Sequence, residues 1–113
     1  MTIPASIPAA EALWLADLIT PTEGGIASRV LLKTAGGNVT LFAFDSGEGL
    51  SEHTTPFDAL VFVLDGLLTL TIGGAVVSAA PGAVVRLPAA VPHAVDATVK
   101  SRMLLVMLKE PKA

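Results

Sequence analysis

Residues 59–79 read ALVFVLDGLLTLTIGGAVVSA, which is three short apolar segments separated by two glycine-containing turns. In the middle segment, Leu68–Ile72, leucine or isoleucine alternates with threonine, and this period of two is typical of a half-buried antiparallel strand. Gly73-Gly74 supplies the positive φ angles that a two-residue hairpin turn needs. The stretch therefore predicts three consecutive β-strands, with a tight hairpin between the last two.

The same pattern of short strands continues on both sides of this stretch. Glycine, proline and aspartate separate the segments, as expected for strands joined by turns. About eight short strands at this spacing predict an all-β sandwich or barrel. The predicted strands are Ser28–Lys33, Val39–Asp45, Ala59–Leu64, Leu68–Ile72, Ala75–Ala79, Ala83–Leu87, Val91–Val95 and Met103–Leu108.

The last predicted strand, Met103–Leu108, is apolar on both faces. One face must fill an interior, and the other must meet a second sheet or a partner chain. We therefore expect Met103, Leu105 and Met107 to pack in the core or in a dimer interface, with the lining of a pocket as the alternative.

The first 26 residues are predicted to form an arm, followed by one barrel domain over residues 27–113. A total of 113 residues fits a single domain. Within the arm, Glu11–Ile19 lies between two prolines and is predicted to form one or two helical turns. Leu13, Trp14 and Leu18 are expected to pack down onto the rest of the chain.

The composition indicates a folded protein with an apolar surface. Hydrophobic residues make up 52% of the chain, and charged residues make up 15%, against about 25% in a typical soluble domain. This apolar content excludes intrinsic disorder. A chain so short and so apolar is expected to bury one face against a copy of itself, so we predict a homodimer.

Charge and cysteine content exclude several classes of function. The net charge is −3 and lysine and arginine form no run, which argues against nucleic-acid binding. The absence of cysteine excludes disulfides, thiolate metal sites and cysteine nucleophiles. The longest apolar runs have six residues, far below the roughly 20 of a membrane span. With no basic segment ahead of an apolar stretch at its start, the chain is predicted to be cytoplasmic.

The chemistry-bearing residues are His53 and His93, which are the two histidines of the chain. Each follows a glycine-marked turn and lies near a proline. Histidine at neutral pH serves as a metal ligand, as an acid or base, or as a buried hydrogen-bonding residue, so residue type alone does not choose among these roles.

The spacing around the two histidines resembles that of the cupin superfamily. Cupins carry the motifs G-x5-H-x-H-x3-E-x6-G and G-x5-P-x-G-x2-H-x3-N, here separated by 15 residues. The resemblance implies a double-stranded β-helix, or jelly-roll, barrel. Stretch 37–66 looks like a branch of small cupins in which H-T-x-P-x-D-A-L-V replaces the metal-ligating H-x-H-x3-E. Positions that match the two motifs are Gly47, His53, Gly66, Gly82, Pro88 and His93; positions that depart from them are Thr55, Ala59, Ala90 and Ala97.

These departures affect the metal site that the resemblance implies. Metal-binding cupins hold iron, manganese, zinc or nickel with three histidines and a glutamate, and only His53 and His93 of that set are present here. A weakly bound divalent transition metal at these two residues is one expectation. The others are a hydrogen-bonded pair inherited from a metal-binding ancestor, and acid–base or ligand-binding histidines without metal. Asp58 neighbours the glutamate position and is expected to point to the opposite face unless Pro56 introduces a bulge.

A pocket is expected around the two histidines, lined by His53, Thr55, Phe57, Ala59 and His93. At Ala59 the missing glutamate leaves space that either Phe57 or Phe62 fills or a small organic ligand occupies. Asp58 and Asp96 are candidates to orient an imidazole. Arg86 is expected to pair with a carboxylate outside the barrel, the alternative being an inward position that holds an anionic ligand.

Three functions follow from these features. The first is an enzyme that acts on a small organic substrate through a labile metal or an acid–base pair. The second is a metal-free cupin that binds or senses a small ligand, and the third is a structural dimer with a vestigial site. Among the chemistries that the resemblance implies, sugar epimerisation is disfavoured because the chain has no tyrosine. Dioxygenation is disfavoured by the missing carboxylate.

Overall fold

The computed structural model describes residues 6–109. The described chain is nearly all β, as predicted, with one short 3₁₀ turn at Leu15–Asp17. The strands are β1 Ile26–Thr34, β2 Gly37–Phe44, β3 Gly49–His53, β4 Asp58–Asp65, β5 Leu68–Ile72, β6 Ala75–Ala79, β7 Val84–Leu87, β8 His93–Ala97 and β9 Ser101–Leu108.

The strands form two antiparallel sheets. The five-stranded sheet has the order β1-β2-β9-β4-β7, and the four-stranded sheet has the order β3-β8-β5-β6. Many neighbours in space, such as β2 with β9 and β3 with β8, are far apart in sequence. The chain therefore passes repeatedly between the two sheets, which is the topology of a jelly-roll barrel.

The core lies between the two sheets. Alternate side chains of β4 and β5 point into it, because successive side chains of a strand face opposite ways. Met103 of β9 is 1% exposed within this core, and Leu105 and Met107 pack against it, as predicted for the inward face of that strand. The buried core residues are Phe44, Ala59, Val61, Val63, Leu68, Leu70, Ala79, Leu87, Val95, Ala97 and Met103.

The N-terminal arm packs on the outside of the five-stranded sheet. Ile19 is buried there with Leu41 and Ala43, and Leu18 packs against them. Ile7 donates its backbone N–H to the carbonyl of Leu31, with 2.8 Å between N and O. The arm thus covers one part of the outer face and leaves the rest of that face open.

The helical turn of the arm forms as predicted, as a single turn of 3₁₀ helix. The packing of the arm differs from the sequence-based expectation. Trp14 is 81% exposed and Leu13 is 38% exposed, so neither packs down as expected. Trp14 precedes the turn in an extended conformation, and the contact with the sheet is made by Leu18 and Ile19 instead.

The hairpin at Gly73-Gly74 forms as predicted. Both glycines have positive φ angles, +55° and +86°, and the turn brings Ile72 opposite Ala75. In contrast, Gly49–His53 lies outside the predicted strands and forms strand β3. Over the residues that the structure describes, no helix is long and apolar enough to cross a membrane.

Candidate functional site

His53 and His93 lie side by side at one edge of the four-stranded sheet. His53 is the last residue of β3 and His93 is the first residue of β8. The two strands are antiparallel neighbours, and the register places the two histidines directly opposite each other. The structure therefore brings together the two residues that the sequence singles out.

A β-bulge in β3 puts both imidazoles on the same face. Leu50 pairs with Val95, and the next registered pair is His53 with His93, so two residues of β3 oppose one residue of β8. In a regular strand, positions 50 and 53 would face opposite sides of the sheet. The extra residue reverses that relation and turns His53 towards His93.

The two rings meet through their Nε2 atoms. These atoms are 3.2 Å apart, and the rings are edge to face, with centroids 4.4 Å apart and an interplanar angle of 70°. Each Nδ1 lies near the carbonyl oxygen of the residue two positions earlier. For His53 the partner is Ser51 at 2.8 Å, and for His93 it is Val91 at 3.2 Å.

These carbonyls determine the tautomers of the rings. A carbonyl oxygen only accepts hydrogen bonds, so each Nδ1 carries the proton. The Nε2 atom of each neutral ring is then an unprotonated acceptor, and the two acceptor atoms lie 3.2 Å apart. A proton or a metal cation shared between the two nitrogens stabilises this arrangement.

The two histidines differ in their exposure to water. His93 is 6% exposed and His53 is exposed. Burial lowers the pKa of His93 from its usual 6.5; the hydrogen bond to the Val91 carbonyl raises it, and the charge of His53 lowers it further. At neutral pH His93 is therefore mainly uncharged and available as a nitrogen ligand.

The nitrogen donors fit one side of a metal coordination sphere. Two imidazole nitrogens that bind the same zinc ion, each at about 2.0–2.1 Å, are separated by roughly 2.8–3.4 Å at angles between 90° and the tetrahedral value. The observed 3.2 Å falls in that range. Histidines that bind metals also commonly donate the other ring N–H to a carbonyl, as both do here. Within residues 6–109, no group of three or more histidine, aspartate or glutamate residues is placed to hold a metal.

The remaining residues of the expected pocket have other contacts. Thr55 Oγ1 donates to the Phe57 carbonyl at 3.4 Å, and Phe57 lies under the Lys109 ammonium, 5.6 Å from the ring centroid. Ala59 belongs to the barrel core, where its registered neighbours are Leu87 and Met107. Phe62 lies on the opposite face of β4 from the buried Val61 and Val63, so it does not fill the space beside Ala59.

The carboxylates near the histidines in sequence do not orient them. Asp58 accepts hydrogen bonds from the Arg86 guanidinium at 3.2 Å and from the backbone N–H of Ala89 at 3.1 Å. These two bonds, the second being the larger effect, lower the pKa of Asp58. Asp96 is exposed at its position opposite Gly49. The groups beside the Nδ1 atoms of the two imidazoles are the carbonyls of Ser51 and Val91.

Arg86 is on the outside of the barrel. Its partner is Asp58, and the arginine side chain is 67% exposed. This is the first of the two positions expected for Arg86. An inward-pointing arginine that binds an anion is thus not part of the site.

Sequence reasoning missed the two carbonyls that hold the rings. Backbone groups carry no residue-specific signal, and the bulge that presents the Ser51 carbonyl to His53 depends on long-range pairing with β8.

The sequence of the chain matches a known protein family. A family model described as Cupin domain matches residues 40–109, a range that includes both histidines. No curated protein matches the chain significantly.

Several solved structures have the same fold. A conserved protein of unknown function from Streptococcus pyogenes is 33% identical, with a TM-score of 0.88 over 100% of this chain and 98% of that one. A cupin superfamily protein from Desulfitobacterium hafniense is 28% identical, with a TM-score of 0.86 over 93% of this chain and 96% of that one. A Cupin 2 conserved barrel domain protein from Leptotrichia buccalis is 37% identical, with a TM-score of 0.80, and the match covers 83% of this chain and 46% of that protein.

Proposed function

The chain belongs to the cupin family, and from that premise we propose that His53 and His93 hold a labile divalent transition metal ion for chemistry on a small organic substrate. The observation that carries the proposal is the convergence of the two Nε2 atoms, 3.2 Å apart, while each Nδ1 is held by a carbonyl. Two neutral acceptors 3.2 Å apart are stabilised by a shared cation, and the lowered pKa of His93 favours a metal in that role.

The protein supplies two ligands to this metal site. His93 is a buried, uncharged ligand, and His53 completes the pair from the exposed side. With two protein ligands where a catalytic zinc usually has three, two positions of a four-coordinate sphere are left to water or to a bound substrate. When bound, such an ion supplies Lewis acidity and lowers the pKa of coordinated water.

A metal-free role for the same pair is the second candidate. The observation in its favour is that the two Nε2 atoms are also within reach of a shared proton, as in an N–H···N hydrogen bond. His53 is the exposed member of the pair and is therefore the one that a ligand reaches from water. The pair in this state binds a ligand or transfers a proton without a metal.

Elemental analysis of untagged protein, purified without chelator, distinguishes the two candidates. We expect close to one transition metal ion per chain, or one bound per chain on titration of the metal-free protein with Zn²⁺, Ni²⁺, Co²⁺ or Fe²⁺. His53→Ala and His93→Ala should each abolish binding, whereas Asp96→Ala, which changes an exposed neighbour of His93, should not. If wild-type protein binds none of these ions, the metal proposal is wrong, and screening small molecules by thermal shift tests the metal-free candidate.

A further inference from the structure

A cleft of about 380 Å³ is lined by both the N-terminal arm and the five-stranded sheet. The arm contributes residues 13–16, Leu-Trp-Leu-Ala, and the sheet contributes Leu64 and Asp65 of β4 and Arg102 of β9. We call this feature the arm cleft. A concave site of roughly 300–1,000 Å³ that is largely apolar and holds a few polar groups is typical of small-molecule binding.

The arm cleft is separate from the histidine pair. Strand β4 begins at Asp58, five residues after His53, and ends at Asp65 in the arm cleft. A strand of eight residues is about 23 Å long. The arm cleft therefore lies at the other end of the sheet from the candidate metal site, and a ligand bound in it does not require a metal ion at the histidines.

The arm gives this cleft an apolar wall that is open to water. Trp14 is 81% exposed, Leu13 is 38% exposed and Leu15 is 37% exposed. These are three consecutive large apolar residues, and all three line the arm cleft. Exposed apolar surface that lines a groove is characteristic of a binding site. The flat indole of Trp14 suits contact with the apolar part of a small molecule.

The polar part of the arm cleft is an ion pair. Arg102 Nη1 donates to Asp65 Oδ2 at 2.8 Å, and the two side chains are 23% and 47% exposed. Among residues 6–109, Arg102 Nε is enclosed and has no hydrogen-bond partner, although enclosed polar groups are normally paired. The Nε and Nη2 groups together form a guanidinium edge that can bind a carboxylate through two hydrogen bonds. The contact at Nη1 leaves this edge unfilled.

The two charges of the ion pair restrict the kind of ligand. A simple carboxylic acid would bring its negative charge beside Asp65, and a simple amine would bring its positive charge beside Arg102. A ligand that carries a carboxylate and an ammonium group close together meets each residue with the opposite charge. Its carboxylate accepts from the Nε–Nη2 edge of Arg102, and its ammonium donates to the second carboxylate oxygen of Asp65. Such a ligand adds no net charge to the arm cleft.

We infer that the arm cleft binds a free α-amino acid with an apolar side chain. An α-amino acid carries its carboxylate and its ammonium group on the same carbon atom, as the adjacent charges of Arg102 and Asp65 require. Its side chain lies against Trp14 and the two leucines of the arm. A charged side chain would be placed without a partner on this apolar wall, so glutamate and lysine are poor ligands.

Titration of the protein with L-leucine, followed by tryptophan fluorescence and by calorimetry, tests the inference. Trp14 is the one tryptophan of the chain, so its emission reports occupation of the arm cleft directly. We expect a saturable change with one leucine bound per chain, and similar behaviour with L-isoleucine and L-phenylalanine. Leucinamide and N-acetyl-leucine each lack one of the two charges, and each should bind at least roughly tenfold more weakly.

Three variants locate the binding site by calorimetry. Arg102→Lys keeps the charge but loses the two-donor edge, and Trp14→Ala removes an exposed side chain, so both should fold, as circular dichroism checks. Each should weaken leucine binding at least roughly tenfold. Arg86→Lys is the matched control, because Arg86 also pairs with an aspartate, Asp58, but does not line the arm cleft. It should bind leucine as wild type does.

Several results would overturn the inference. One is the absence of a saturable response to leucine at millimolar concentration. Another is equal affinity for leucine and leucinamide, or leucine binding that Arg102→Lys and Trp14→Ala leave unchanged. Trp14 emission that depends on protein concentration but not on leucine would show that another protein molecule, not an amino acid, covers the arm cleft.

Discussion

The backbone N–H of Ala90 donates a hydrogen bond to the carbonyl oxygen of Thr55, with 2.8 Å between N and O. This bond joins the loop that follows His53 to the loop that precedes His93. Ala90 has a φ of +64°, in the left-handed region that L-residues other than asparagine and aspartate rarely occupy. The cupin motif has glycine at this position, so the chain keeps the backbone conformation without the residue that favours it.

Replacing Ala90 with glycine should therefore stabilise the protein. The left-handed conformation costs an alanine about 1–2 kcal/mol, and the greater freedom of glycine in the unfolded chain returns about 0.4–1 kcal/mol of that cost. We expect Ala90→Gly to raise the free energy of unfolding by about 0.5–1 kcal/mol in urea titrations. Ala89→Gly is the control and should lower it, because Ala89 is not among the residues with positive φ. Equal losses in both variants would contradict this account.

Replacing Gly66 with alanine should destabilise the protein more than the same change at a glycine in open space. Its φ is +81°, and a Cβ at this position would lie 2.1 Å from Ser101 Oγ and 2.4 Å from the Lys100 carbonyl oxygen. Ser101 is fully buried and bonds Leu67 and Val99, so it has little room to move. Gly66→Ala should cost about 2–4 kcal/mol, as the sum of backbone strain and overpacking.

The control for Gly66 is another glycine with the same conformation and free space. Gly82 has a φ of +90°, and nothing lies within 4 Å of a Cβ built there. Gly82→Ala should cost about 1–2 kcal/mol, from strain alone. Urea or thermal unfolding of both variants gives the comparison, and a Gly82→Ala loss as large as that of Gly66→Ala would show that crowding by Ser101 contributes nothing.

The strands and the candidate pair could be predicted from local patterns. Alternation at Leu68–Ile72 and the glycines at 73–74 specify a hairpin through short-range chemistry alone. The spacing of His53 and His93 also matches a family motif, which carries information on residues that meet only after folding. Local patterns and a known motif therefore led to the fold and to the pair.

What depends on long-range pairing could not be predicted. Residues 49–53, GLSEH, show no apolar alternation, and their strand exists because β8 pairs with them. The bulge that turns His53 towards His93 reverses the face expected from counting residues. The exposure of Trp14 likewise depends on how the arm crosses the sheet, which no local pattern records.

Asp45 should contribute to the stability of the fold in a way that depends on pH. Its Oδ2 accepts a hydrogen bond from the backbone N–H of Gly24 at 2.6 Å, and its Oδ1 accepts one from Ser46 at 2.9 Å. The bond from Gly24, then that from Ser46, lowers the pKa of Asp45 below its ordinary 3.8, and Lys100 contributes in the same direction. A carboxyl whose folded-state pKa is lowered stabilises the protein above its unfolded pKa, and that stability is lost as the pH falls through the folded-state pKa.

Asp45→Asn should therefore be less stable than wild type at neutral pH and should approach it in acid. Asparagine keeps one acceptor oxygen but loses the charge that strengthens both hydrogen bonds. Urea unfolding measured at pH values from neutral down to below 3.8 follows the difference between the two proteins. Asp17→Asn, at an exposed carboxylate in the 3₁₀ turn, is the control. A difference between Asp45→Asn and wild type that stays constant down the pH series would exclude the ionised carboxylate as its source.

The last prediction concerns His53, which should affect stability in opposite ways with and without metal. In protein treated with excess chelator, its Nε2 faces the Nε2 of His93 at 3.2 Å, and His53 is exposed. His53→Ala then removes an unfavourable approach of two acceptors and little buried surface. We expect the free energy of unfolding to stay within about 0.5 kcal/mol of wild type or to rise. His93→Ala should cost about 1–3 kcal/mol under the same conditions, because it leaves the Val91 carbonyl unpaired near the core.

Added metal should make wild type more stable to unfolding than His53→Ala, the reverse of the order expected in chelator. At 100 times the dissociation constant, a bound ion stabilises the folded state by about 2.7 kcal/mol, which corresponds to a rise in Tm of about 10 °C for a chain of this size. Wild type should show that rise with Ni²⁺ or Zn²⁺ in differential scanning calorimetry, and neither histidine variant should. Asp96→Ala should shift as wild type does. If His53→Ala loses stability in chelator and wild type gains none with metal, a shared proton, not a metal ion, holds the two rings together.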